Sequence, residues 1–181
     1  MNEKQLETLK KNNEESREFT RTCIFSALMV LLSKDKLEDV SITRLCEVAG
    51  VSRVAFYRNY HSIEDVLVDK ITEFAHRVTG KIGSDVFNNW LMLFAEAEKE
   101  KDLLMVAIKL GIQHVLFDVF MSLLPKREES RTVQAIWVSI YYSFLVKRFQ
   151  EKRRLKVEDE ARLAYKYTKN IPLVEIENEV I

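Results

Sequence analysis

Apolar residues recur every three or four positions along most of this chain, the spacing that places side chains on one face of an α-helix. The first stripe follows Ser16, a candidate N-cap, and consists of Phe19, Cys23, Ile24, Ala27, Leu28 and Leu31. Residues 1–15 are charged and lack this periodicity. We therefore expect a flexible segment at 1–15, followed by a helix that ends at Leu32 or Ser33.

Two short helices are predicted on either side of Gly50. The first begins after Ser41, and Gly50 stands where a left-handed residue commonly ends a helix. Ser52 is a suitable N-cap for the second helix, which is expected to run to Asn59 or Tyr60. Two short helices joined by a glycine turn are typical of a helix-turn-helix unit.

Six further helical segments follow. Ser62 with Asp65 marks the start of a long helix, and Gly80 lies just past its end. Further helices are expected from Ser84, across DLLMVAIKL, across GIQHVLFDVFMSLL up to Pro125, at about 128–151, and across VEDEARLAYKYTKN. The pattern predicts an all-α protein with about nine helices, divided into the segment 1–15, a helix-turn-helix domain 16–62, a connecting helix 63–80 and a C-terminal helical domain 81–181.

Composition agrees with a helical fold, because four glycines and two prolines in 181 residues are too few for many short strands. The N-terminus has no apolar core of a secretory signal. The longest uncharged run, 132–146, is shorter than the ~20 residues that span a bilayer. We expect a cytoplasmic protein with no membrane segment.

Charge is balanced overall, with 28 basic and 28 acidic residues. Residues 41–60 nevertheless hold Arg44, Arg53 and Arg58 against Glu47 alone, a small local excess of positive charge. Nucleic acid binding therefore has support only in this segment.

Residues that carry catalytic chemistry are not arranged for it. Cys23 and Cys46 lie on apolar helix faces and read as small buried residues. Neither they nor His61, His76 and His114 have metal-ligand spacing. No nucleophile with a base and no phosphate-binding glycine loop is present. We expect no enzyme activity, no cofactor and no metal.

The helix-turn-helix segment has the residues that duplex DNA requires. Arg53 can donate a bidentate pair of hydrogen bonds to guanine, and Val54 and Ala55 can contact a thymine methyl group. Free backbone N–H groups and hydroxyls at the start of the first short helix suit a phosphate. Surface arginines are usually only solvated, but here the surrounding motif favours DNA contact. The candidate DNA-binding residues are Ser41, Thr43, Arg44, Ser52, Arg53, Val54, Ala55, Tyr57, Arg58 and Asn59.

The stretches SITRLCEVAGVS (41–52), FYRNY (56–60) and IEDVL (63–67) resemble the TetR family of bacterial transcriptional regulators. This resemblance implies a three-helix DNA-binding domain, a helical C-terminal domain that dimerises, and often a pocket for an inducer. Cys46 replaces the family's usual alanine. Ile63 stands where the family usually has a phosphate-binding lysine. That contact is therefore expected to be lost, or to move to Lys70, His61 or the N–H groups after Ser62.

The C-terminal stretches IWVSIYYSFLVKRFQEK and LKVEDEARLAYKY resemble the dihydroxyacetone-kinase-regulator-type branch of that family. The resemblance implies that the last two helices pair across a two-fold axis. The expected interface residues are Ile136, Ile140, Phe144, Leu163 and Tyr167. The same residues would be ordinary core in a monomer.

Aromatic residues in the C-terminal half are candidates for the lining of a ligand cavity: Phe87, Trp90, Phe94, Phe117, Phe120, Trp137 and Tyr141. Plain core packing is the alternative. The sequence as a whole predicts a homodimeric, TetR-like regulator, most often a repressor, that binds a pseudo-palindromic operator in double-stranded DNA and responds to a small-molecule inducer if it has one. The alternative is a helical ligand-binding or protein-interaction module whose DNA-binding head has degenerated.

Overall fold

A computed structural model describes residues 3–124, 128–151 and 155–173. Within these ranges the chain forms nine α-helices and no β-strand, so the prediction of an all-α fold with about nine helices is confirmed. The helices are α1 Glu3–Leu32, α2 Ile42–Ala49, α3 Arg53–Tyr57, α4 Ile63–Thr79, α5 Val86–Lys99, α6 Lys101–Lys109, α7 Gln113–Ser122, α8 Glu128–Gln150 and α9 Val157–Thr168. A 3₁₀ turn at Leu37–Asp39 precedes α2.

Helix α1 begins much earlier than its apolar stripe. It starts at Glu3, and the prediction of a start at Ser16 is wrong. The first turns are exposed and contain local polar contacts, such as the 3.9 Å pair between Lys11 Nζ and Glu15 Oε1. Periodicity detects burial rather than helicity, so an exposed helix of Glu, Lys and Gln leaves no such trace.

Phe19 does not belong to the buried face of α1, where it was expected, because 71% of its surface is exposed. It precedes Leu28 by about two and a half helical turns and therefore points to the opposite side. Cys23 is only half-buried, whereas Ile24 and Leu28 are completely buried. The buried stripe of α1 therefore begins at Ile24.

The chain divides into two compact units, one up to Asp69 and the other from Lys70 onward, and the division falls within α4. The N-terminal unit buries Leu28 of α1, Leu45 of α2 and Phe56 of α3. The C-terminal unit buries aromatic side chains, with the Trp90 and Phe94 rings stacked at 5.5 Å. The finer bounds at 1–15, 16–62, 63–80 and 81–181 stay a prediction.

A buried ion-pair network connects three helices of the C-terminal unit. Arg148 of α8 contacts Glu160 of α9, and its Nη2 lies 2.7 Å from Glu98 Oε2 of α5. Arg148 Nη1 also donates to the Leu155 carbonyl at 3.1 Å. Burial raises the pKa of the Glu160 carboxyl, while its bond to Arg148 acts in the opposite direction. Loss of one partner would leave a buried charge uncompensated, and the network links α5, α8 and α9.

Several helix ends follow local sequence chemistry. Helix α5 is capped by Asp85, whose Oδ1 accepts from the Asn88 N–H at 2.7 Å, one residue after the predicted Ser84. Gly111 separates α6 from α7 with a φ of 74°, as expected for the predicted break. The predicted stop at Pro125 lies outside the described residues. In the part of the chain that the structure describes, no single helix is long and apolar enough to cross a membrane; only the bent pair α6 and α7 together meets that criterion, by length and composition.

Candidate DNA-binding surface

The start and end of α2 are set by Ser41 and Gly50. Ser41 Oγ accepts a hydrogen bond from the Arg44 N–H at 3.2 Å. At the other end Gly50 has a φ of 65°, and the Val51 N–H donates to the Cys46 carbonyl at 3.0 Å. This is a Schellman termination, which requires a left-handed residue and therefore favours glycine. The predicted limits of α2 are confirmed.

Helix α3 begins at Arg53 behind its cap, Ser52. Ser52 Oγ accepts from the Ala55 N–H at 3.1 Å, so the predicted cap is confirmed. The helix ends at Tyr57, earlier than the predicted Asn59 or Tyr60. The N–H groups of Asn59 and Tyr60 both bond the Phe56 carbonyl, which closes the segment as a turn.

A small apolar cluster holds α2 and α3 against each other. Leu45 and Phe56 are fully buried, and Cys46 is nearly so. Burial raises the pKa of the Cys46 thiol, which is therefore neutral at pH 7. Val51 and Ala49 are half-buried beside them. Because Phe56 anchors α3 from behind, the opposite side of that helix faces outward.

The outward side contains most of the candidate DNA-binding residues. Val54 is 62% exposed and Tyr57 47% exposed, so the apolar surface of both side chains is accessible to a partner. Ala55 and Asn59 are half-buried. The exposed members are Ser41, Thr43, Arg44, Ser52, Arg53, Val54, Tyr57 and Arg58. No acidic residue lies in the first turn of α2 or of α3.

Two candidates already have partners within the molecule. Arg44 Nη2 lies 2.8 Å from Asp35 Oδ2, and this carboxylate offsets its charge. Asn59 donates through Nδ2 to the Ala55 carbonyl at 2.8 Å and accepts from Arg17 Nε at 3.1 Å. These contacts make Arg44 and Asn59 less available to DNA than Arg53 and Arg58.

Arg17 is a residue that sequence reasoning missed. Its bond to Asn59 places a third exposed guanidinium beside the end of α3. The pair is separated by 42 residues in the chain, so no local pattern reveals it. Arg17 extends the positive edge formed by Arg53 and Arg58.

A hydrogen-bonded triad of Tyr60, Asp69 and Arg21 lies behind this edge. Tyr60 Oη donates to Asp69 Oδ2 at 2.7 Å, and Arg21 Nη2 donates to Asp69 Oδ1 at 2.6 Å. Arg21 Nε also donates to Tyr60 Oη at 3.3 Å. Burial of the phenol, followed by its bond to Asp69, raises the pKa of Tyr60. The triad connects α1, α4 and the segment that follows α3.

The start of α4 shows what replaces the lysine of the resemblance. Ile63 is only 8% exposed and packs in the core, so the side chain at this position does not face the surface. Asp65 Oδ2 accepts from the N–H groups of His61 at 2.8 Å and Ser62 at 3.0 Å, and Ser62 Oγ accepts from the Asp65 N–H at 3.2 Å. These backbone bonds lower the pKa of Asp65. The predicted capping pair is confirmed, and Asp65 supplies an internal anion at this helix start.

The C-terminal unit contains a separate cavity of about 310 Å³ that is partly open to solvent. Of the aromatic candidates, Trp90, Phe120, Trp137 and Tyr141 line it. The other three lie elsewhere in the packing: Phe94 stacks on Trp90, Phe87 meets Tyr165 at 5.8 Å, and Phe117 meets Tyr142 at 5.3 Å. The lining also includes Gln134, which the sequence did not single out.

The candidate dimer residues lie on α8 and α9. Ile136 and Tyr167 are exposed, and Ile140, Phe144 and Leu163 are half-buried. An open groove of about 580 Å³ runs along α8, lined by Arg131, Thr132, Ala135, Ile136, Ser139 and Ile140. In the described parts of the chain, no group of three or more His, Cys, Asp or Glu residues is arranged to hold a metal ion.

No family model matches this chain, and no curated protein matches its sequence. Solved structures do share its fold. The Listeria innocua protein Lin0861 has a TM-score of 0.69 at 20% identity, covering 84% of this chain and 90% of that one. A TetR transcriptional regulator from Streptococcus agalactiae has a TM-score of 0.60 at 13% identity, covering 87% and 97%. Thermus thermophilus FadR, a TetR family repressor solved with lauroyl-CoA, has a TM-score of 0.50 at 17% identity, covering 86% and 96%. The chain therefore has the fold of the TetR transcriptional regulators to which it is similar.

Proposed function

We propose that this protein is a DNA-binding transcriptional regulator, acting as a repressor, whose α2–α3 unit reads the major groove. The observation that carries the proposal is the exposed α3 edge with Arg53, Val54 and Tyr57, on a helix whose inner side is fixed by Phe56. Exposed apolar groups and unpaired guanidinium groups are what base edges and phosphates require. The similarity in fold to TetR regulators supports the same reading.

Each residue of this edge has a separate task in the proposal. Arg53, at the first position of α3, donates to a guanine edge, and Val54 packs against a thymine methyl group. Tyr57, Arg58 and Arg17 bind phosphates and fix the register of the helix on the duplex. Base contacts then determine the sequence preference, and phosphate contacts determine the salt dependence.

We further propose that the regulator works as a homodimer. Two copies joined along the α8 groove and α9 would bring small residues such as Ala135 and Ser139 together and cover the exposed Ile136. A two-fold dimer presents two α3 edges, so its operator is a pseudo-palindrome with half-sites about 34–36 Å apart or a multiple of that. Membership of the dihydroxyacetone-kinase-regulator-type branch belongs to this proposal as well.

A ligand in the cavity would regulate DNA binding by its preference for one dimer state. It releases the operator only if it binds more tightly to the state in which the two α3 edges are wrongly spaced. FadR from Thermus thermophilus, which has a similar fold, was solved with lauroyl-CoA. Its example supports a ligand in this unit without identifying one.

The direct experiment measures binding to DNA from upstream of the protein's own coding region by fluorescence anisotropy at several salt concentrations. Affinity should fall steeply as salt rises, since neutralised phosphates release counterions. Arg53→Ala should weaken binding roughly ten- to hundredfold. Lys101→Ala, which removes one exposed charge from α6, is the control and should leave affinity unchanged. DNA binding that does not depend on salt, or equal DNA affinity of the two variants, would refute the assignment of α3 as the helix that contacts DNA.

The dimer has its own test in sedimentation velocity. Ile136→Glu places a charge in the α8 groove and should convert dimers to monomers. Met105→Glu makes the same type of change at an exposed apolar residue of α6 and should leave the dimer intact. A dimer that survives Ile136→Glu would show that the interface lies elsewhere.

A helical ligand-binding or protein-interaction module remains the second candidate. The observation that favours it is the internal use of Arg44 and Asn59, together with the buried Ile63 in place of a surface lysine. On this reading Arg53→Ala and Tyr57→Ala would change no binding property of the protein. The anisotropy series above therefore separates the two candidates.

A further inference from the structure

The cavity of the C-terminal unit has one unusual polar feature, the side chain of Gln134 on α8. Gln134 is 8% exposed and lines the cavity, and its Nε2 has no hydrogen-bond partner in the described part of the protein. A buried amide N–H without a partner destabilises the folded state, because it has given up its hydrogen bonds to water. Such groups are rare in folded proteins, and each requires an explanation.

The other polar side chains of the lining that are buried or half-buried already have partners. Tyr141 Oη donates to the Leu93 carbonyl at 3.2 Å, and Trp137 Nε1 donates to the Pro172 carbonyl at 2.9 Å. Asn89 Nδ2 donates to the Gly83 carbonyl at 2.7 Å, and its Oδ1 accepts from the Gly83 N–H at 2.9 Å. Gln134 is thus the buried lining residue that has a donor to spare.

The charge and the volume of the cavity restrict the class of ligand further. The described lining contains no Asp, Glu, Lys or Arg, and its histidine, His76, is exposed to solvent, so no buried charged side chain there compensates a full charge brought out of water. A volume of about 310 Å³ is at the lower end of the range, about 300–1,000 Å³, of small-molecule pockets. Indole and phenyl rings with aliphatic side chains form most of the wall.

We propose that the cavity binds a small, uncharged, mainly apolar molecule with one hydrogen-bond acceptor, such as a ketone, and that Gln134 Nε2 donates to this acceptor. The amide selects the ligand by its oxygen, because a pure hydrocarbon leaves the donor unpaired. Regulation of DNA binding by this ligand rests on the proposed function, whereas binding of the ligand to the cavity does not require DNA.

A matched pair of probes tests the role of the acceptor. Butyrophenone and butylbenzene have the same carbon skeleton, and the ketone has a carbonyl where the hydrocarbon has a methylene. Isothermal titration calorimetry on the full chain without DNA should show about tenfold tighter binding of butyrophenone. The anion 4-phenylbutyrate should bind more weakly than the ketone.

Variants assign the effect to Gln134. Gln134→Leu should abolish the preference for the ketone while butylbenzene still binds. Gln113→Leu is the control, because Gln113 also has a buried atom without a partner but does not line the cavity, and it should keep the preference. Val138→Phe fills part of the cavity and should weaken both probes. Circular dichroism checks that each variant is folded.

Equal affinity of the two probes for the parent protein, or a ketone preference that survives Gln134→Leu, would overturn the inference. So would the absence of binding by either probe up to its solubility limit. Operator binding is measured separately, on the protein without any ligand. Calorimetry therefore tests the ligand proposal alone, and operator binding tests the DNA-binding proposal alone.

Discussion

Removal of one oxygen atom tests how the α3 edge is held. Tyr60→Phe keeps the buried ring and deletes the hydroxyl that donates to Asp69 Oδ2 at 2.7 Å and accepts from Arg21 Nε at 3.3 Å. A hydrogen bond to a charged group contributes about 1.5–3 kcal/mol. Arg21 and Asp69 stay paired and half-buried, so water replaces part of the loss. We expect the free energy of unfolding to fall by about 1–2 kcal/mol.

The same substitution should weaken DNA binding although Tyr60 is buried and does not reach the duplex. The triad joins Tyr60, which follows α3, to Arg21 of α1 and Asp69 of α4. Its loss should therefore loosen the edge that carries Arg53 and Arg58. We expect the affinity for DNA to fall about threefold to tenfold, because the side chains that contact phosphates and bases are no longer held in place.

Urea unfolding and fluorescence anisotropy measure the two effects of Tyr60→Phe. Tyr165→Phe, which removes the hydroxyl of a partly exposed tyrosine in the C-terminal unit, is the control and should change neither quantity. Unchanged stability of the Tyr60 variant would mean that the triad contributes nothing to the fold. Lower stability with unchanged affinity would mean that the triad does not position the edge.

Three further predictions concern the turn, the buried carboxylate and the start of α4. Gly50→Ala should lower the free energy of unfolding, measured by urea titration, by about 1–2 kcal/mol. The φ of 65° at this position strains any residue with a Cβ, although a Cβ built there would have no atom within 4 Å. An unchanged urea midpoint would contradict this prediction. Hydrogen bonds from Lys81 and Lys99 lower the pKa of the buried Glu96 from 4.5 to about 2, so its stabilisation is complete above pH 4.5 and is lost as pH falls from 4.5 toward 2. The lowered pKa of Glu96 corresponds to roughly 3 kcal/mol of stability, which the solvent exposure of both lysines reduces to about 1–2 kcal/mol. Glu96→Gln should therefore make the free energy of unfolding depend less on pH in that window. A profile as steep as that of the parent protein would refute this prediction. Ile63→Lys should destabilise the fold by about 1–3 kcal/mol without tightening DNA binding, since Ile63 is buried; tighter binding would show that this lysine reaches a phosphate.

Local chemistry made much of the α2–α3 unit predictable. Ser41, Gly50 and Ser52 act through bonds to residues three or four positions away, so the positions of these residue types in the sequence locate the caps and the turn.

Long-range pairings were not predictable in the same way. Arg17 bonds Asn59 across 42 residues, and Arg21 bonds Asp69 across 48, and neither pair follows a helical or strand period. The unpaired amide of Gln134 depends on where every other polar group of the cavity finds its partner. Burial of Ile63 reflects how α4 packs, whereas a family resemblance at that position suggests only a missing lysine.

Hydroxyl-radical footprinting of the operator, with the chain at a concentration where it dimerises, shows whether two copies of α3 contact the duplex. We expect two protected patches whose centres lie about 34–36 Å apart, or a multiple of that, on one face of the duplex. Arg53→Ala should remove both patches together, because the two copies present the same edge. A single patch, or protection that survives loss of the Arg53 guanidinium, would contradict the assignment of α3 as the reading helix of a two-fold dimer.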